Sequence, residues 1–500
     1  MTPEQFKQYS DQGYNRIPLM KTILADLETP LSAYMKLADA PYSYLFESVQ
    51  GGENWGRYSI IGLPCKDIIS IRDNTISLKS NGQTVETINS DAPLDWIRDY
   101  ASKINPPEVE GLPRFSGGLV GYFGYETIHY IEPKVAANRA QTKKPDPIDS
   151  ADILLMVSEE VLVFDNVSNQ LMIVTHVDPA QNDAYQQGMQ RLDQLVNTLE
   201  STHINNTFGQ CQSAAVDEAD FVSGFTQQGF QDAVKKVKEY IVEGDVMQTV
   251  LSQRMTIPYV EPAIDLYRAL RCINPSPYMY HLNLGDTHVV GSSPEILTRL
   301  EDEQVTVRPI AGTRPRGETR EQDDALEKEL LADPKECAEH LMLIDLGRND
   351  AGRVSKTGSI ELTDKMVIER YSHVMHIVSN VTGELLPELD AIDVLAATFP
   401  AGTVSGAPKI RAMQIIDELE PVKRGIYSGA VGYLSWSGNL DTAIAIRTAV
   451  IKDDKLNIQA GAGIVHDSVP ENEWAETMNK GRAIFKAVAM VQRGLTEGEN

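Results

Sequence analysis

The sequence predicts an α+β fold, in which strands and helices are mixed along the chain. Short apolar runs bounded by turn residues dominate the first 200 positions, and longer runs with helical spacing dominate the remainder. Strand-like runs continue between those helices. A doubly wound parallel sheet would require strands and helices to alternate regularly, which they do not. The pattern therefore favours sheets and helices packed around a common core.

The first part of the chain is predicted to be rich in short strands. Turn signals separate its apolar runs, and Pro-rich connectors occur near Pro106-Pro107 and at Pro145-Asp146-Pro147. Residues 201–220 are small and polar without clear periodicity, which indicates a linker. The predicted strands are Tyr58 to Leu63, Ile68 to Ile71, Ile153 to Val157, Val161 to Phe164 and Leu171 to Val174.

The second part of the chain mixes both kinds of element. Helical spacing extends from Phe221 to Glu243, and Gly244 follows as a stop signal. Strand-like runs are Val246 to Met255, His288 to Gly291 and Gln304 to Ile310. The further predicted helices are Asp323 to Leu331, Glu336 to Asp345, Asp390 to Ala397, Lys409 to Glu418 and Glu473 to Ala489.

The composition excludes several classes of function. A formal net charge of −26 repels phosphate backbones, so nucleic acid is not an expected partner. No apolar run approaches the length that spans a bilayer, and the N-terminus lacks the features of a signal peptide. The four scattered cysteines form no CxxC pair, which argues against a disulfide framework or a zinc site. We expect an acidic cytoplasmic protein in which local Arg, Lys or metal must meet any anionic ligand.

The most informative stretch is the strand-like run Ile458 to Val465, followed by a helical pattern that contains Glu476 and Lys480. Gly461 and Gly463 lack a Cβ, so a ligand can approach the backbone closely. The spacing of four residues places the glutamate and the lysine on one helix face. A carboxylate and an ammonium beside bare backbone suit a metal ion and an anion. The alternative is a strand, a crowded turn and a helix with a solvated charged face.

A second group of polar side chains lies in the predicted helix after Pro334. Glu336, Glu339 and His340 are predicted to share one face of this helix, and its apolar residues indicate substantial burial. A buried carboxylate must be paired, hydrogen-bonded or bound to metal. Glu339 and Glu476, on two separate helices, could therefore supply hard oxygen ligands to Mg²⁺. The alternative is a structural ion-pair network with Arg348 or Arg353.

Further segments are suited to binding anions or exchanging protons. The run Pro309 to Gly317 combines a Gly-Thr turn with two arginines, and the loop Ala401 to Lys409 leads into a helix with Ser405 as candidate N-cap. The GxxxxGK[ST] spacing of a P-loop is absent. The run Tyr371 to His376, which contains His373 and His376, offers a candidate base, although a core histidine is the commoner role for such a residue. Arg447 lies in an apolar, strand-like run and needs an anionic partner.

Taken together and in this order, the motifs resemble the chorismate-utilising enzyme family, and the whole chain resembles its anthranilate-forming branch. The resemblance implies a large antiparallel β-sandwich core with surrounding helices, and an N-terminal region packed against that core. The stretches that carry it are Asn274 to Met279, Gly291 to Glu295, Pro309 to Thr313, Glu339 to Asp345, Arg348 to Asp350, Gly402 to Lys409, and Gly461 through Lys480.

The resemblance also implies roles for individual residues. Glu339 and Glu476 match the Mg²⁺ ligands of the family. His376 matches the histidine of the later elimination step, and Glu295 matches a carboxylate beside the departing hydroxyl. The positions expected around the ring and carboxylates of chorismate are Gly312, Thr313, Tyr427, Arg447, Gly461, Ala462, Gly463 and Lys480.

The implied reaction is the first step of tryptophan biosynthesis. Ammonia adds at C2 of chorismate while the C4 hydroxyl leaves, and loss of the C2 proton and of enolpyruvate then gives anthranilate and pyruvate. In the aminodeoxychorismate-forming branch, a covalently acting lysine stands where this chain has Ala311. In isochorismate- and salicylate-forming relatives, a water-activating lysine stands near the position of Gln248. Both differences favour ammonia as the nucleophile that ends in anthranilate.

The resemblance implies a partner and an effector as well. No Cys/His/Glu glutaminase signature is found, so ammonia is expected from a separate glutamine amidotransferase subunit in a hetero-oligomer, such as a heterotetramer. The segment Leu45 to Val49 resembles the family's tryptophan-binding segment, although Phe46 and Val49 replace the usual leucine and alanine. The alternative is an edge strand with a Pro-rich turn. The expected residues of the feedback site are Ser48, Pro277, Tyr278 and Met279.

Two other functions stay open on the sequence. Another chorismate aminase could stop at aminodeoxyisochorismate or aminodeoxychorismate, and a non-catalytic protein could sense chorismate or tryptophan. The predicted domains are residues 1–200 with the tryptophan-binding segment, a linker at 201–220, and a chorismate-binding catalytic domain at 221–500. All these expectations require Glu339 and Glu476 to converge on one place.

Overall fold

The computed structural model describes residues 1–49, 56–139, 144–204, 216, 218–371 and 374–495. Within these ranges the chain forms 24 strands in two antiparallel sheets of twelve strands each. Helices pack on the outside of both sheets, which confirms the α+β prediction and the β-sandwich that the resemblance implied.

The strands of the first half are β1 (Ile17–Leu24), β2 (Ser43–Glu47), β3 (Tyr58–Gly62), β4 (Asp67–Arg72), β5 (Thr75–Ser80), β6 (Gln83–Asn89), β7 (Gly118–Phe123), β8 (Ile153–Ser158), β9 (Glu160–Asp165), β10 (Gln170–Val177), β11 (Val222–Ser223) and β12 (Gln248–Pro258). Those of the second half are β13 (Tyr278–Asn283), β14 (Thr287–Ser293), β15 (Ile296–Glu301), β16 (Gln304–Val307), β17 (Ile310–Pro315), β18 (Glu361–Arg370), β19 (Val374–Glu384), β20 (Gly406–Ala407), β21 (Ala430–Ser435), β22 (Leu440–Ile444), β23 (Thr448–Lys452) and β24 (Lys455–Ile464).

The described helices are α1 (Pro3–Asp11), α2 (Pro30–Leu37), α3 (Pro93–Ser102), α4 (Ile128–Ile131), α5 (Pro133–Arg139), α6 (Ala184–Ser201), α7 (Gln227–Glu243), α8 (Ala263–Ile273), α9 (Arg320–Ala332), α10 (Pro334–Gly352), α11 (Ala391–Thr398), α12 (Lys409–Leu419) and α13 (Pro470–Gln492).

Both sheets draw on both halves of the chain. The first sheet has the order β1-β10-β9-β3-β2-β13-β14-β23-β24-β12-β11, with β20 paired to β12. The second has the order β17-β19-β16-β15-β22-β21-β7-β8-β4-β5-β6, with β18 paired to β19. The predicted ranges 1–200 and 221–500 therefore describe an order along the chain, while each sheet contains strands from both. Residues 205–215 and 217 of the predicted linker lie outside the described residues.

Three apolar layers hold the sheets and helices together. Between the sheets, Tyr44 and Tyr280 of the first sheet pack with Tyr122 and Val431 of the second. Residues of α1, α2, α6, α8 and α13 cover the outer face of the first sheet. Residues of α3, α4, α5, α10, α11 and α12 cover the outer face of the second. The burial of apolar surface on both faces of each sheet is the main stabilising contribution.

Two helices that matter for function begin at prolines, which need no N–H partner, two or three residues before the predicted starts at Glu336 and Glu473. At the start of α10, the Asp333 side chain accepts hydrogen bonds from the backbone N–H groups of Lys335 and Glu336, and Pro334 occupies the first helical position. Pro470 has the same place in α13. Both helices are longer than predicted, because buried residues continue beyond the segments in which helical spacing is clearest in the sequence.

Two predicted helix starts are wrong. The helix predicted from Phe221 begins at Gln227, where the Thr226 side chain accepts a hydrogen bond from the backbone of Gly229. Ser405 does not cap a helix, since its hydroxyl donates to Ala401 O at 2.8 Å. The residues after it form β20 before α12 begins, so pairing with β12 takes precedence over local helix initiation.

The described part of the chain contains no helix long and apolar enough to cross a membrane. Cys65, Cys272 and Cys337 are free thiols, and Cys211 lies outside the described residues. This agrees with the prediction that no disulfide framework is present among the described cysteines.

Candidate active site

The two glycines of the predicted site lie within β24, opposite Ser252 and Val250 of β12. A Cβ on Gly461 would lie 2.8 Å from the Tyr427 hydroxyl, and a Cβ on Gly463 would lie 2.5 Å from Gln248 Nε2. Those distances are too short for a side chain, so this face of the strand requires bare backbone. The glycines therefore form a flat wall beside Tyr427 and Gln248.

Ala462 does not share this wall. Because side chains alternate across a strand, its methyl group points away from the two glycines. It is fully buried in an apolar cluster with Phe230 and Val234 of α7 and Ile415 of α12. Any contact of Ala462 with the ligand would therefore be made by its backbone, which borders the wall.

Helix α13 brings two of the predicted side chains to the glycine wall. Lys480 Nζ donates a hydrogen bond to Gly461 O at 2.9 Å and lies 2.8 Å from Glu476 Oε1. The spacing of four residues makes this ion pair, as expected from one helix face. Lys480 therefore bridges Glu476 and the backbone of β24.

Helix α10 brings Glu339 to the same wall from another direction. Gln248 Nε2 donates to Glu339 Oε1 at 3.3 Å, and this amide is the group that a Cβ on Gly463 would strike. The alternative network with Arg348 does not form, because Arg348 lies on the exposed side of α10, 3.7 Å from Asp345. Glu339 and Glu476 thus reach neighbouring points of one strand face.

The starts of the two helices also influence each other electrostatically. Burial raises the pKa of Glu336, and the charge of Glu339 raises it further. Burial likewise raises the pKa of Glu473, to which Glu476 adds and which Lys335 of α10 opposes. A carboxyl group whose pKa is raised by a neighbouring carboxylate marks a place where a cation is stabilised.

The donor set fits Mg²⁺, the ion that the resemblance implies. Mg²⁺ binds through one or two carboxylates and keeps several oxygen positions for water or substrate. Glu339 and Glu476 supply two such carboxylates near the glycine wall. Among the described residues no group of three or more His, Cys, Asp or Glu side chains is arranged to hold a metal. The two glutamates thus suit a magnesium ion completed by ligand oxygens better than a closed structural metal site.

His376 lies on β19, directly opposite Thr313 of β17. A bulge precedes Thr313, where Gly312 has a φ of +68°, a conformation that favours glycine. His376 Nδ1 lies 3.0 Å from Gly312 O and 3.1 Å from Thr313 Oγ1. A carbonyl can only accept, so the hydrogen bond to Gly312 places the proton on Nδ1 and leaves the lone pair on Nε2. Burial lowers the pKa of His376 to about 4.

Glu295 and Arg447 form the buried polar end of the site. Burial raises the pKa of Glu295 to about 8, although the Thr403 hydroxyl, Arg447 and Lys480 act in the opposite direction. Burial lowers the pKa of Arg447, and the charge of Glu295 partly offsets this. Glu295 is therefore protonated at neutral pH, while Arg447 keeps a positive charge that can meet an anion.

Arg447 is not part of a strand, contrary to the prediction. It lies between β22 and β23 with a φ of +50°, and its carbonyl accepts a hydrogen bond from Ser292 N at 3.1 Å. A non-glycine residue in this conformation costs backbone energy, of order 1–3 kcal/mol. The turn directs the guanidinium to Glu295 and His376, which both respond to its charge.

Three histidine predictions resolve differently. His376 lies in the site, as described above. His340 is fully buried, with Nε2 2.7 Å from Ser379 Oγ, so it serves the packing of α10. His373 lies outside the described residues.

The four predicted feedback-site residues line a separate cavity of about 280 Å³ between the two sheets. Ser48 follows β2, and Tyr278 and Met279 begin β13 beside it. On the opposite wall, Arg299 and Asp441 form an ion pair at 2.8 Å, and the Tyr278 hydroxyl donates to Asp441 Oδ1 at 3.0 Å. An aromatic and apolar cavity with a charged edge has the character of an amino-acid site.

Sequence reasoning missed several residues around the candidate active site. Glu369 and Tyr371 lie next to His376 in space. Gln248 was considered only because other branches have a lysine near its position, and not as a residue of the site. Alternation along a strand was a usable signal for Glu369 and Tyr371, since residues two apart share a face. The contact of Gln248 with Glu339 joins residues 91 positions apart and had no local signal.

Comparison with known proteins gives the same family throughout. A family model described as chorismate binding enzyme matches residues 44–486. A protein named anthranilate synthase component 1 from Pseudomonas aeruginosa is 56% identical over 495 residues, covering 99% of this chain and 100% of that protein. A protein of the same name from Neisseria meningitidis is 52% identical over 496 residues, covering 99% of each.

Solved structures agree with this result. The crystal structure of anthranilate synthase component I from Streptococcus pneumoniae matches with a TM-score of 0.76 and 37% identity, covering 93% of this chain and 99% of that chain. The menaquinone-specific isochorismate synthase from Escherichia coli matches with a TM-score of 0.69 and 18% identity, covering 97% of this chain and 98% of that chain. The second match shows that the fold is shared.

Proposed function

Because the chain belongs to the chorismate-binding enzyme family, we propose that it is a lyase that converts chorismate and ammonia to anthranilate and pyruvate. The observation that carries the proposal is the identity of 52–56% along essentially the whole chain to proteins named anthranilate synthase component 1. Ala311 and Gln248 support the same choice, since neither can act as the lysine of the other branches.

The residues of the chain bind the substrate through its charges. Arg447 and Lys480 supply positive charge in a protein whose overall field opposes a dianion. The glycine wall allows the ring to approach the backbone of β24, and Tyr427 borders this wall. Glu339 and Glu476 would hold Mg²⁺, which when bound neutralises the ring carboxylate and orients it.

Two buried groups move protons. Protonated Glu295 donates its proton to the C4 hydroxyl as ammonia adds at C2, so that water leaves. His376 then accepts the C2 proton at Nε2, and the electrons of the broken C–H bond complete the aromatic ring as enolpyruvate departs from C3. The hydrogen bond from Nδ1 to Gly312 O holds the imidazole in the required tautomer.

The same proposal extends to partner, effector and location. Ammonia comes from a separate glutamine amidotransferase subunit, a proposal that the words component 1 in the names of the relatives support. Tryptophan inhibits by binding the cavity lined by Ser48, Pro277, Tyr278 and Met279. The protein acts in the cytoplasm, in tryptophan biosynthesis, as part of a hetero-oligomer.

The test is the identity of the product. The purified chain, given chorismate, Mg²⁺ and an ammonium salt, should produce the fluorescence of anthranilate, and chelation of Mg²⁺ should abolish it. Glutamine should replace ammonium only when the amidotransferase subunit is added. Accumulation of an aminated, non-aromatic product would indicate another chorismate aminase. Binding of chorismate or tryptophan without turnover would indicate a sensing protein.

A further inference from the structure

A row of three polar side chains crosses the edge of the second sheet. Residues opposite each other in antiparallel strands share a face, with Cβ atoms about 4.5–5.5 Å apart. His376 of β19 is opposite Thr313 of β17 on one side and opposite Glu369 of β18 on the other. The register therefore places a carboxylate next to the imidazole on the side away from Thr313.

Glu369 is held in place by two further groups. The Tyr371 hydroxyl donates to Glu369 Oε2 at 2.9 Å, and Arg308 Nη2 forms an ion pair with Glu369 Oε1. The Tyr371 ring contacts the His376 ring edge to face, with centroids 5.6 Å apart. The carboxylate therefore has a fixed position and a charge-assisted hydrogen-bond network beside the imidazole.

The charges around His376 make this neighbour important. Burial disfavours the imidazolium, and the positive charge of Arg447 disfavours it further. Glu369 is the negative group that acts in the opposite direction. Tyr371 and Glu295 also lie in this environment and respond to one another electrostatically. A base in such a place needs a counter-charge at the moment it takes up a proton.

We propose that Glu369 is a positioning residue whose charge stabilises the imidazolium formed on His376 when Nε2 accepts the C2 proton. This inference rests on the proposed function. The C2–H bond breaks and a new N–H bond forms on His376. The freed electron pair forms the double bond that makes the ring aromatic, while the C3–O bond to enolpyruvate breaks. Glu369 exchanges no proton itself. It acts through its charge, while the hydrogen bond from Nδ1 to Gly312 O fixes the orientation of the ring.

The kinetic test is Glu369→Gln, which keeps the shape and removes the charge. In this variant the rate of anthranilate formation, relative to the rate of chorismate consumption, should fall about three- to tenfold. A fall of this size is expected when the pKa of the His376 imidazole drops by about one unit. The acid limb of the kcat profile should move to lower pH, because a weaker base is unprotonated at lower pH. Glu369→Asp should recover part of the loss, and Tyr371→Phe, which keeps the carboxylate, should leave the acid limb in place.

Glu361→Gln is the matched control, since Glu361 lies on the same strand but opposite Thr382, away from His376. It should behave as the unaltered protein does. A Glu369→Gln variant that loses both steps equally with an unmoved acid limb would contradict the proposal, and so would one with unchanged kinetics.

A second measurement does not depend on turnover. Ring ¹⁵N NMR of labelled histidines, with His376→Gln to identify the signal, should show the Nδ1–H tautomer and a titration at lower pH in Glu369→Gln than in the unaltered protein. Identical titrations would overturn the role of Glu369 even if anthranilate is made. Absence of anthranilate with a shifted titration would overturn the proposed function and leave the coupling of Glu369 to His376 intact.

Discussion

Individual side chains in the candidate active site hold protonation states that they would not have in water. Burial keeps the Glu295 carboxyl neutral and the His376 imidazole uncharged, while Arg447 retains its charge in the same small volume. A two-step amination and elimination requires an acid that is protonated and a base that is unprotonated at neutral pH. This difference supports the proposal that the two proton transfers use different residues.

The carboxylates of the proposed magnesium site give the first prediction. Glu339→Gln and Glu476→Gln should each lower anthranilate formation by more than about 100-fold, since loss of supporting residues around a metal already costs 10–100-fold. Activity should be measured against Mg²⁺ concentration, with circular dichroism to verify folding. Glu471→Gln, in the exposed first turn of α13, is the matched control and should be neutral. Full activity in either variant would remove that residue from the metal site.

The pH dependence of Glu295 gives the second prediction. Its pKa of about 8 means that the acid form is lost as pH rises through about 8, so the amination rate should fall there. Glu295→Gln should lose about 10²–10⁴-fold in rate and no longer show this limb.

The raised pKa of Glu295 should also make the free energy of unfolding depend on pH, in a direction that can be predicted. The unfolded carboxyl ionises near 4.5 and the folded one near 8, so the unaltered protein should lose stability relative to Glu295→Gln between these values. Denaturant unfolding at several pH values measures this. A stability difference that does not change with pH would show that Glu295 is not protonated in the folded protein.

Among the elements, β24 and the two helices that face it decide the geometry of the site. The strand offers alternate residues to two environments, with Gly461 and Gly463 toward the site and Ala462 toward α7 and α12. Helices α10 and α13 then place their carboxylates over the glycine face. A strand is a suitable support because paired backbone holds its position more rigidly than a loop.

Gly463→Ala tests this arrangement. The new Cβ would lie 2.5 Å from Gln248 Nε2, so the amide must move and give up its hydrogen bond to Glu339. The KM for chorismate or the Mg²⁺ requirement should rise by about 10–100-fold, with little change in thermal stability. Gly352→Ala, where the added methyl meets no atom within 4 Å, is the matched control. Unchanged substrate and metal dependence in Gly463→Ala would exclude Gln248 as a support for Glu339.

At the scale of the whole molecule, the two sheets carry two sites that share strands. Glu295 directly precedes β15, whose far end at Leu300 and Glu301 lines the cavity between the sheets. Its neighbour β22 joins Asp441 of that cavity to the turn that holds Arg447. A ligand that moves the Arg299–Asp441 pair therefore acts on strands that end in the active site. Coupling of this kind needs a difference in affinity between two states of the protein.

Ser48→Met tests whether tryptophan occupies this cavity. The larger side chain would fill part of about 280 Å³, so tryptophan should no longer inhibit, while anthranilate formation without tryptophan should change little. Tryptophan at about 100 times its Kd should stabilise the unaltered protein by about 2.7 kcal/mol, seen as a rise in Tm, and the variant should show no rise. Ser48→Ala leaves the space open and should retain inhibition. Inhibition that persists in Ser48→Met would place the effector elsewhere.

The sequence by itself determined the features that depend on neighbours along the chain. Hydrophobic period and prolines predicted that α10 and α13 exist, and the spacing of four residues placed Glu476 and Lys480, which form an ion pair, on one helix face. The family resemblance added the roles of His376, Glu295 and Arg447. The helices and the ion pair could be predicted because helix contacts are short-range interactions that a few residues specify, whereas the roles of the three site residues stay predictions.

Only the tertiary structure decided the features that depend on strand register. Pairing of β19 with β17 and β18 aligned Thr313, His376 and Glu369, and pairing of β24 with β12 set Gln248 between Gly463 and Glu339. The same alternation turned Ala462 away from the site, and the pairing of β20 with β12 displaced the helix start expected at Ser405. A shift of the strand pairing by one residue would turn each of these side chains to the opposite face of its sheet. Packing across the whole core selects the register.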